Sequence, residues 1–184
     1  MCNLKTINMN KNYSLITVVC LAFLSFFASQ KLNGQAGASR DTIKIAAREI
    51  MNETHYCGLV TIDSEGQPQM RTMNPFPAND ELITWFATSR TSRKVAEIKN
   101  NPKVCVYYAD HVNAKGYVSI TGTAQVIDDK DLLVKMKRDY WNGIPDWQNN
   151  FVLIKIVPMK MEVINYKRGL NNDPDTFKAP SIVF

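Results

Sequence analysis

The sequence predicts a mainly β protein with short helices, in which six or seven antiparallel strands form a small barrel. Short apolar runs of strand length recur between turn signals at Ser64-Glu65-Gly66, Asn79-Asp80 and Gly116. The few helical patterns fall at gaps between strands and do not alternate regularly with them, which disfavours a doubly wound parallel sheet. There is no internal repeat, low-complexity tract or Gly-x-Gly-x-x-Gly loop.

Residues 1–38 read as a secretory leader and stand apart from the fold. Lys5 and Lys11 precede an apolar run from Tyr13 to Ala28, and Ala36-Gly37-Ala38 offers small residues for cleavage, with the cut expected between residues 28 and 38. The expectation is an exported protein, periplasmic or extracellular, with no stable membrane anchor after cleavage. Three of the 22 basic residues and none of the 17 acidic ones lie in the leader, so the remainder carries a net charge of only +2. That balance leaves no global footprint for nucleic acid. The domain is expected over 39–168, followed by a tail over 169–184.

In chain order, Ile43, Ala46, Ala47, Ile50 and Met51 keep helical spacing, giving an amphipathic helix from Arg40 to Asn52. Tyr56 to Asp63 reads as a strand, with Gly58 marking a bulge or a close approach. A hairpin leads into Pro68 to Asn74, which alternates Gln69, Arg71 and Met73 on one face with Met70 and Thr72 on the other. Arg71 in mid-strand is costly unless it reaches solvent or meets an anion. Leu82 to Ala87 runs back, bringing its end beside the second strand. Val95, Ala96 and Ile98 supply a short apolar helical face that Asn100-Asn101-Pro102 stops.

Val104 to Ala109 is a strand of the buried type, and Tyr117 to Ile127 a long one with a bend at Gly122. Asp128-Asp129 caps a helix whose apolar face is Leu132, Leu133, Met136 and Tyr140. Pro145 breaks the chain before two last strands, Phe151 to Val157 and Met161 to Tyr166, separated at Pro158. Beyond the leader only Cys57 and Cys105 remain, each in an apolar run, and they read as packed thiols more than as a bridge. His55 and His111 lie far apart without a partner at ligand spacing, so no metal site is expected.

Chemistry concentrates at Thr88-Ser-Arg-Thr-Ser-Arg-Lys94, where three cations and four hydroxyls meet a helix start. A helix N-terminus favours Asp or Glu, so Arg90, Arg93 and Lys94 are locally wrong there unless an anion compensates them. A phosphate would accept from free amides, from Thr88 and Ser92, and from Arg93 and Lys94, with Arg71 within approach. The alternative is a solvated basic turn.

These residues resemble the pyridoxamine 5'-phosphate oxidase-like split barrels that bind FMN, and in particular their general stress protein-like subgroup. The resemblance rests on an ordered set: Arg71-Thr72-Met73 on a strand, Trp85-Phe86-Ala87-Thr88 ending the next, Ser92-Arg93-Lys94 opening a helix, Asn101-Pro102 closing it, and Tyr117 to Gly122 on a long strand. It implies that Arg71, Ser92, Arg93 and Lys94 hold the FMN phosphate, and that Thr72, Met73 and Thr88 line the ribityl and ring path. It further implies a homodimer with the cofactor at the interface, where Tyr117 and the region of Trp141 come from the partner. Read from the residues alone, Trp141 either packs on the barrel or covers a flavin face.

The resemblance stops short of the substrate. The position of the family's lysine after the strand motif is Phe76 here, and the stretch from Tyr166 to Phe184 lacks the arginine- and histidine-bearing segment of true pyridoxamine phosphate oxidases. The resulting expectation is an FMN-dependent oxidoreductase of unknown substrate. A non-catalytic module holding a flavin or haem, and a degenerate dimeric scaffold, are the alternatives. No catalytic acid or base stands out.

Overall fold

The computed structural model describes residues 38–184, so the expected leader lies, but for Ala38, outside the described residues. Helix α1 (Arg40–Glu53) starts where the Ser39 hydroxyl accepts from the Thr42 amide at 3.2 Å, and it buries the five apolar residues that set its period. Strands β1 (Cys57–Ile62) and β2 (Pro68–Met73) form the expected hairpin, closed by Asp63, whose carboxylate accepts from the Glu65 and Gln67 amides. Gly58 pairs regularly with Thr72 and Tyr107, and its missing side chain leaves room for Met70, whose Cε would lie 2.6 Å from a Cβ there.

Strand β3 (Thr84–Ser89) is followed by helix α2 (Arg93–Asn100), then β4 (Lys103–Ala109) and β5 (Gly116–Ile127). Helices α3 (Lys130–Lys135) and α4 (Trp147–Asn150) flank a 3-10 turn at Asp139–Gly143. The long β6 (Phe151–Asn165) and the short β7 (Ser181–Val183) complete the chain. All pairings are antiparallel, in the order β2-β1-β4-β5-β6-β3, with β7 added to β6. This curled, seven-stranded half-barrel with short helices is the expected fold class.

The pairing of β3 differs from expectation. It pairs with Phe151–Ile156 of β6, at the opposite end of the sheet from β2, so the two strands are not neighbours. Chain proximity suggested otherwise, but a short connection from β2 is compatible with a curled sheet whose ends approach each other. Helix α2 lies at that split and is bonded to side chains of both β2 and β3.

Pro158 interrupts no strand. A register shift opposite Thr121 and Gly122 absorbs it within one continuous β6, and a Cβ at Gly122 would sit 2.3 Å from the Val157 carbonyl oxygen, which requires glycine there. The stretch from 169 to 184 is not a loose tail either. Leu170 bridges to Asn165, and β7 returns Ile182 to the core. Its alternating Ile182 was too short a pattern to read as a strand.

The main core packs Ala46, Ala47 and Ile50 of α1 against Leu59, Phe86, Val106, Ile120 and Ile156 of the sheet. A second core gathers Leu133, Trp141, Trp147 and Leu153. Helix α3 is capped by Asp129, which accepts from the Leu132 amide at 2.9 Å. It ends at Lys135, one turn earlier than its apolar spacing predicts, so Tyr140 faces solvent and Trp141 takes the buried place. Cys57 and Cys105 are both free thiols, and burial pushes Cys57 up to about 12.

Candidate functional site

The N-terminus of α2 is uncapped, since the Ser92 hydroxyl makes no cap bond and instead lies 3.3 Å from the Thr88 hydroxyl. Thr88, the penultimate residue of β3, accepts from Lys94 Nζ at 3.0 Å. Across the split, Arg71 of β2 points at the same helix, with Nη2 2.7 Å from Glu97 Oε2, while Nη1 donates to the Thr61 hydroxyl. Thr61 in turn donates to Glu97 Oε2, and Arg93 Nε lies 2.8 Å from Glu97 Oε1. That last approach is an ion pair without hydrogen-bond alignment, which leaves Oε1 buried and short of a donor. Arg93 also donates to Gln69 Oε1 at 3.2 Å, and Gln69 donates to Asp63 at 2.7 Å.

Five of the nine sequence-predicted residues therefore come together: Arg71, Thr88, Ser92, Arg93 and Lys94. Thr72 is exposed on the opposite face of β2, and Met73 is buried in the main core. Tyr117 stands on β5 opposite Ala109, with its ring 5.6 Å from that of Tyr107. Trp141 is 0% exposed, enclosed by Phe76, Tyr140, Trp147 and Phe151, so it has no ring face free to cover a ligand in this chain. Arg90, counted with the cluster on sequence grounds, turns away and forms a two-pronged pair with Asp128.

Sequence reasoning missed Glu97. The apolar face of α2 was expected to be Val95, Ala96 and Ile98, but Ala96 is exposed and Glu97 takes its place, 5% exposed. The i,i+4 spacing from Arg93 was the available signal. Burial raises the Glu97 pKa, but hydrogen bonds from Thr61 and Arg71 and the charges of Arg71 and Arg93 outweigh it and hold the carboxyl below its ordinary 4.5.

A depressed carboxylate contributes stability that is fully present above 4.5 and lost as pH falls through its lower folded value. Glu97→Gln is accordingly expected to cost about 2 kcal/mol at neutral pH, with the deficit shrinking below that range. Urea denaturation of both proteins at pH 7 and pH 3 measures it; an equal deficit at both values would contradict the assignment.

Lys94 is the opposite case. Burial chiefly, and then the charge of Arg71, lower its pKa, with Glu97 only partly offsetting them. Among the described residues its ammonium has a hydroxyl partner and no carboxylate within ion-pair distance. Beyond the end of β2, a pocket of about 310 Å³ is lined by Thr54, His55, Asn74, Phe76, Tyr108 and Arg138. Arg138 donates to Asn74 at 2.7 Å and lies 4.1 Å over the Phe76 ring.

A family model described as Pyridoxamine 5'-phosphate oxidase matches residues 43–165. General stress protein 26 of Bacillus subtilis (strain 168) is 28% identical over 116 residues, covering 60% of this chain and 81% of that protein. Pyridoxine/pyridoxamine 5'-phosphate oxidase of Blochmanniella pennsylvanica (strain BPEN) is 34% identical over 105 residues, covering 55% of this chain and only 46% of that enzyme. The crystal structure of General Stress Protein 26 from Bacillus anthracis str. Sterne superposes with a TM-score of 0.57 at 26% identity, covering 66% of this chain and 92% of that one.

Proposed function

We propose, on the premise that this chain belongs to the pyridoxamine 5'-phosphate oxidase family, that it is an exported FMN-binding oxidoreductase. On this reading it is an oxidoreductase of unknown substrate and not a true pyridoxamine phosphate oxidase. The observation that carries the cofactor assignment is Lys94: a half-buried ammonium with no carboxylate in ion-pair contact among the described residues, beside an uncapped helix start and flanked by Arg71 and Arg93. A phosphate monoester supplies the missing negative charge and accepts from Ser92, Thr88 and the free amides of α2. The strand β2 then leads from Arg71 to Asn74, about 10 Å at the rise of an extended chain, towards the pocket beside Arg138. When bound, FMN supplies hydride or electron acceptance at its ring, and this chain supplies binding and orientation.

A second copy of the chain is the proposed partner. Supporting this, an apolar groove of about 580 Å³ opens across β1, β4, β5, β6 and β7, lined by Val60, Ile62, Cys105, Met159 and Val183. Its exposed Met159 and Val183 are the kind of surface that association covers. The leader composition supports export.

The test is the visible spectrum of the purified protein after incubation with FMN and gel filtration at a dimer's elution volume. Retained flavin bands are expected, and oxidation of a reduced nicotinamide by the yellow protein would extend the reading to turnover. A colourless protein that takes up no FMN overturns the reading, and a Soret band in its place would assign haem.

A further inference from the structure

The structure assigns Glu97 a role as a positioning and charge-setting residue, one that selects a dianionic phosphate monoester over a more highly charged diphosphate. This rests on the phosphate reading of the Lys94 cluster and goes beyond it, because it gives Glu97 a role through the cations it binds.

Three cations crowd the α2 start from two elements, and one carboxylate stands among them. Glu97 binds Arg71 from β2 at 2.7 Å and Arg93 from its own helix at 2.8 Å, while Thr61 of β1 donates to the same carboxylate. The Glu97 side chain is 4% exposed, whereas that of Arg93 is 69% exposed, so the acid is the fixed member and the arginines are drawn to it. A solvent-facing arginine that would otherwise sample many rotamers is thus set in place before any ligand arrives. Asp63 reaches the same guanidinium only at one remove, through Gln69.

Two consequences follow from the charges. With Lys94 protonated, the direct cluster holds three positive charges and one negative, a net +2. That matches the charge of a terminal phosphate monoester, and it leaves Lys94 as the one cation of the cluster without a carboxylate partner. A third net charge would favour a diphosphate, since each added unit charge at contact range shifts anion affinity by about a factor of ten after solvent screening.

The experiment is displacement of bound FMN by inorganic phosphate and by pyrophosphate, read as the ratio of their inhibition constants. The variants are Glu97→Gln, Glu97→Asp and Arg93→Gln. Glu97→Gln is expected to move the ratio about tenfold towards pyrophosphate, and Arg93→Gln, at an exposed position that tolerates change, about tenfold the other way. Glu97→Asp should restore most of the native ratio. A purely architectural Glu97 would weaken both anions equally and leave the ratio still, which overturns the inference even where FMN binds normally. If Glu97→Gln does not fold, the Arg93→Gln shift alone decides: no movement overturns it. Failure of the native protein to bind FMN, phosphate or pyrophosphate sinks the underlying phosphate reading instead, and is seen before any variant is made.

Discussion

Replacing Lys94 by methionine is expected to weaken FMN binding about 100-fold while leaving the fold at least as stable as before. The two effects have one cause. The ammonium is half-buried, donates to the Thr88 hydroxyl at 3.0 Å, and pairs with no carboxylate among the described residues. Burial first and Arg71 second hold its pKa below the ordinary 10.5, so the folded chain binds this proton less readily than the unfolded chain. Between the two pKa values the unfolded state carries more protons, and stability therefore rises with pH through that window up to 10.5. At neutral pH the free protein bears the cost of a poorly compensated charge. A bound phosphate relieves it, and so does methionine, which keeps the stem and discards the charge. The expected readouts are a 100-fold rise in Kd by flavin fluorescence and an unchanged or higher urea midpoint. An unchanged Kd would place the phosphate elsewhere, and a loss of about 2 kcal/mol would make Lys94 structural.

Trp141→Ala is expected to cost about 4 kcal/mol of stability, the largest effect of any single change considered for the barrel. Its indole is 0% exposed and sits 5.2 Å from the Trp147 ring and 5.3 Å from that of Phe151, so truncation opens a cavity that neighbours on three elements cannot all close. The ring nitrogen is buried without a partner among the described residues. Trp141→Phe removes that unsatisfied donor along with some volume and should cost less than half as much. Because the ring is enclosed, the phenylalanine variant should hold FMN within about threefold of the native affinity. A large loss of binding in a stably folded Trp141→Phe protein would return this residue to the flavin face.

Much of the architecture was legible because it is written in local patterns. The helical period from Ile43 to Met51, the turn at Gly66, the stop at Asn101-Pro102 and the Asp129 cap each depend on a few adjacent residues, and each lies where expected. Thr88, Ser92, Arg93 and Lys94 were likewise marked by being locally unfavourable cations and hydroxyls at a helix start, and Arg71 by being a charge in mid-strand. Failures came where a long-range partner outweighed the local pattern. Pro158 reads as a break until Gly122 of the neighbouring strand is seen to accommodate the shift, and Ile182 reads as tail until β6 offers it an edge. Tyr140 and Trp141 exchange places because the helix before them stops a turn early.

The sequence by itself determined the strand-rich class, the boundaries of the elements from α1 to β5 to within a few residues, and the presence of a basic, hydroxyl-rich helix start, since all of these follow from neighbours along the chain. Only the tertiary structure decided which cations belong together. Arg90 is drawn off by Asp128, 38 residues away, and Arg71 and Arg93 are held by a buried Glu97, while Lys94 is left with a hydroxyl. Charge is a property of the residue, but whether it is neutralised depends on what the fold places within a few ångströms, and that distance is not written in any short stretch of sequence.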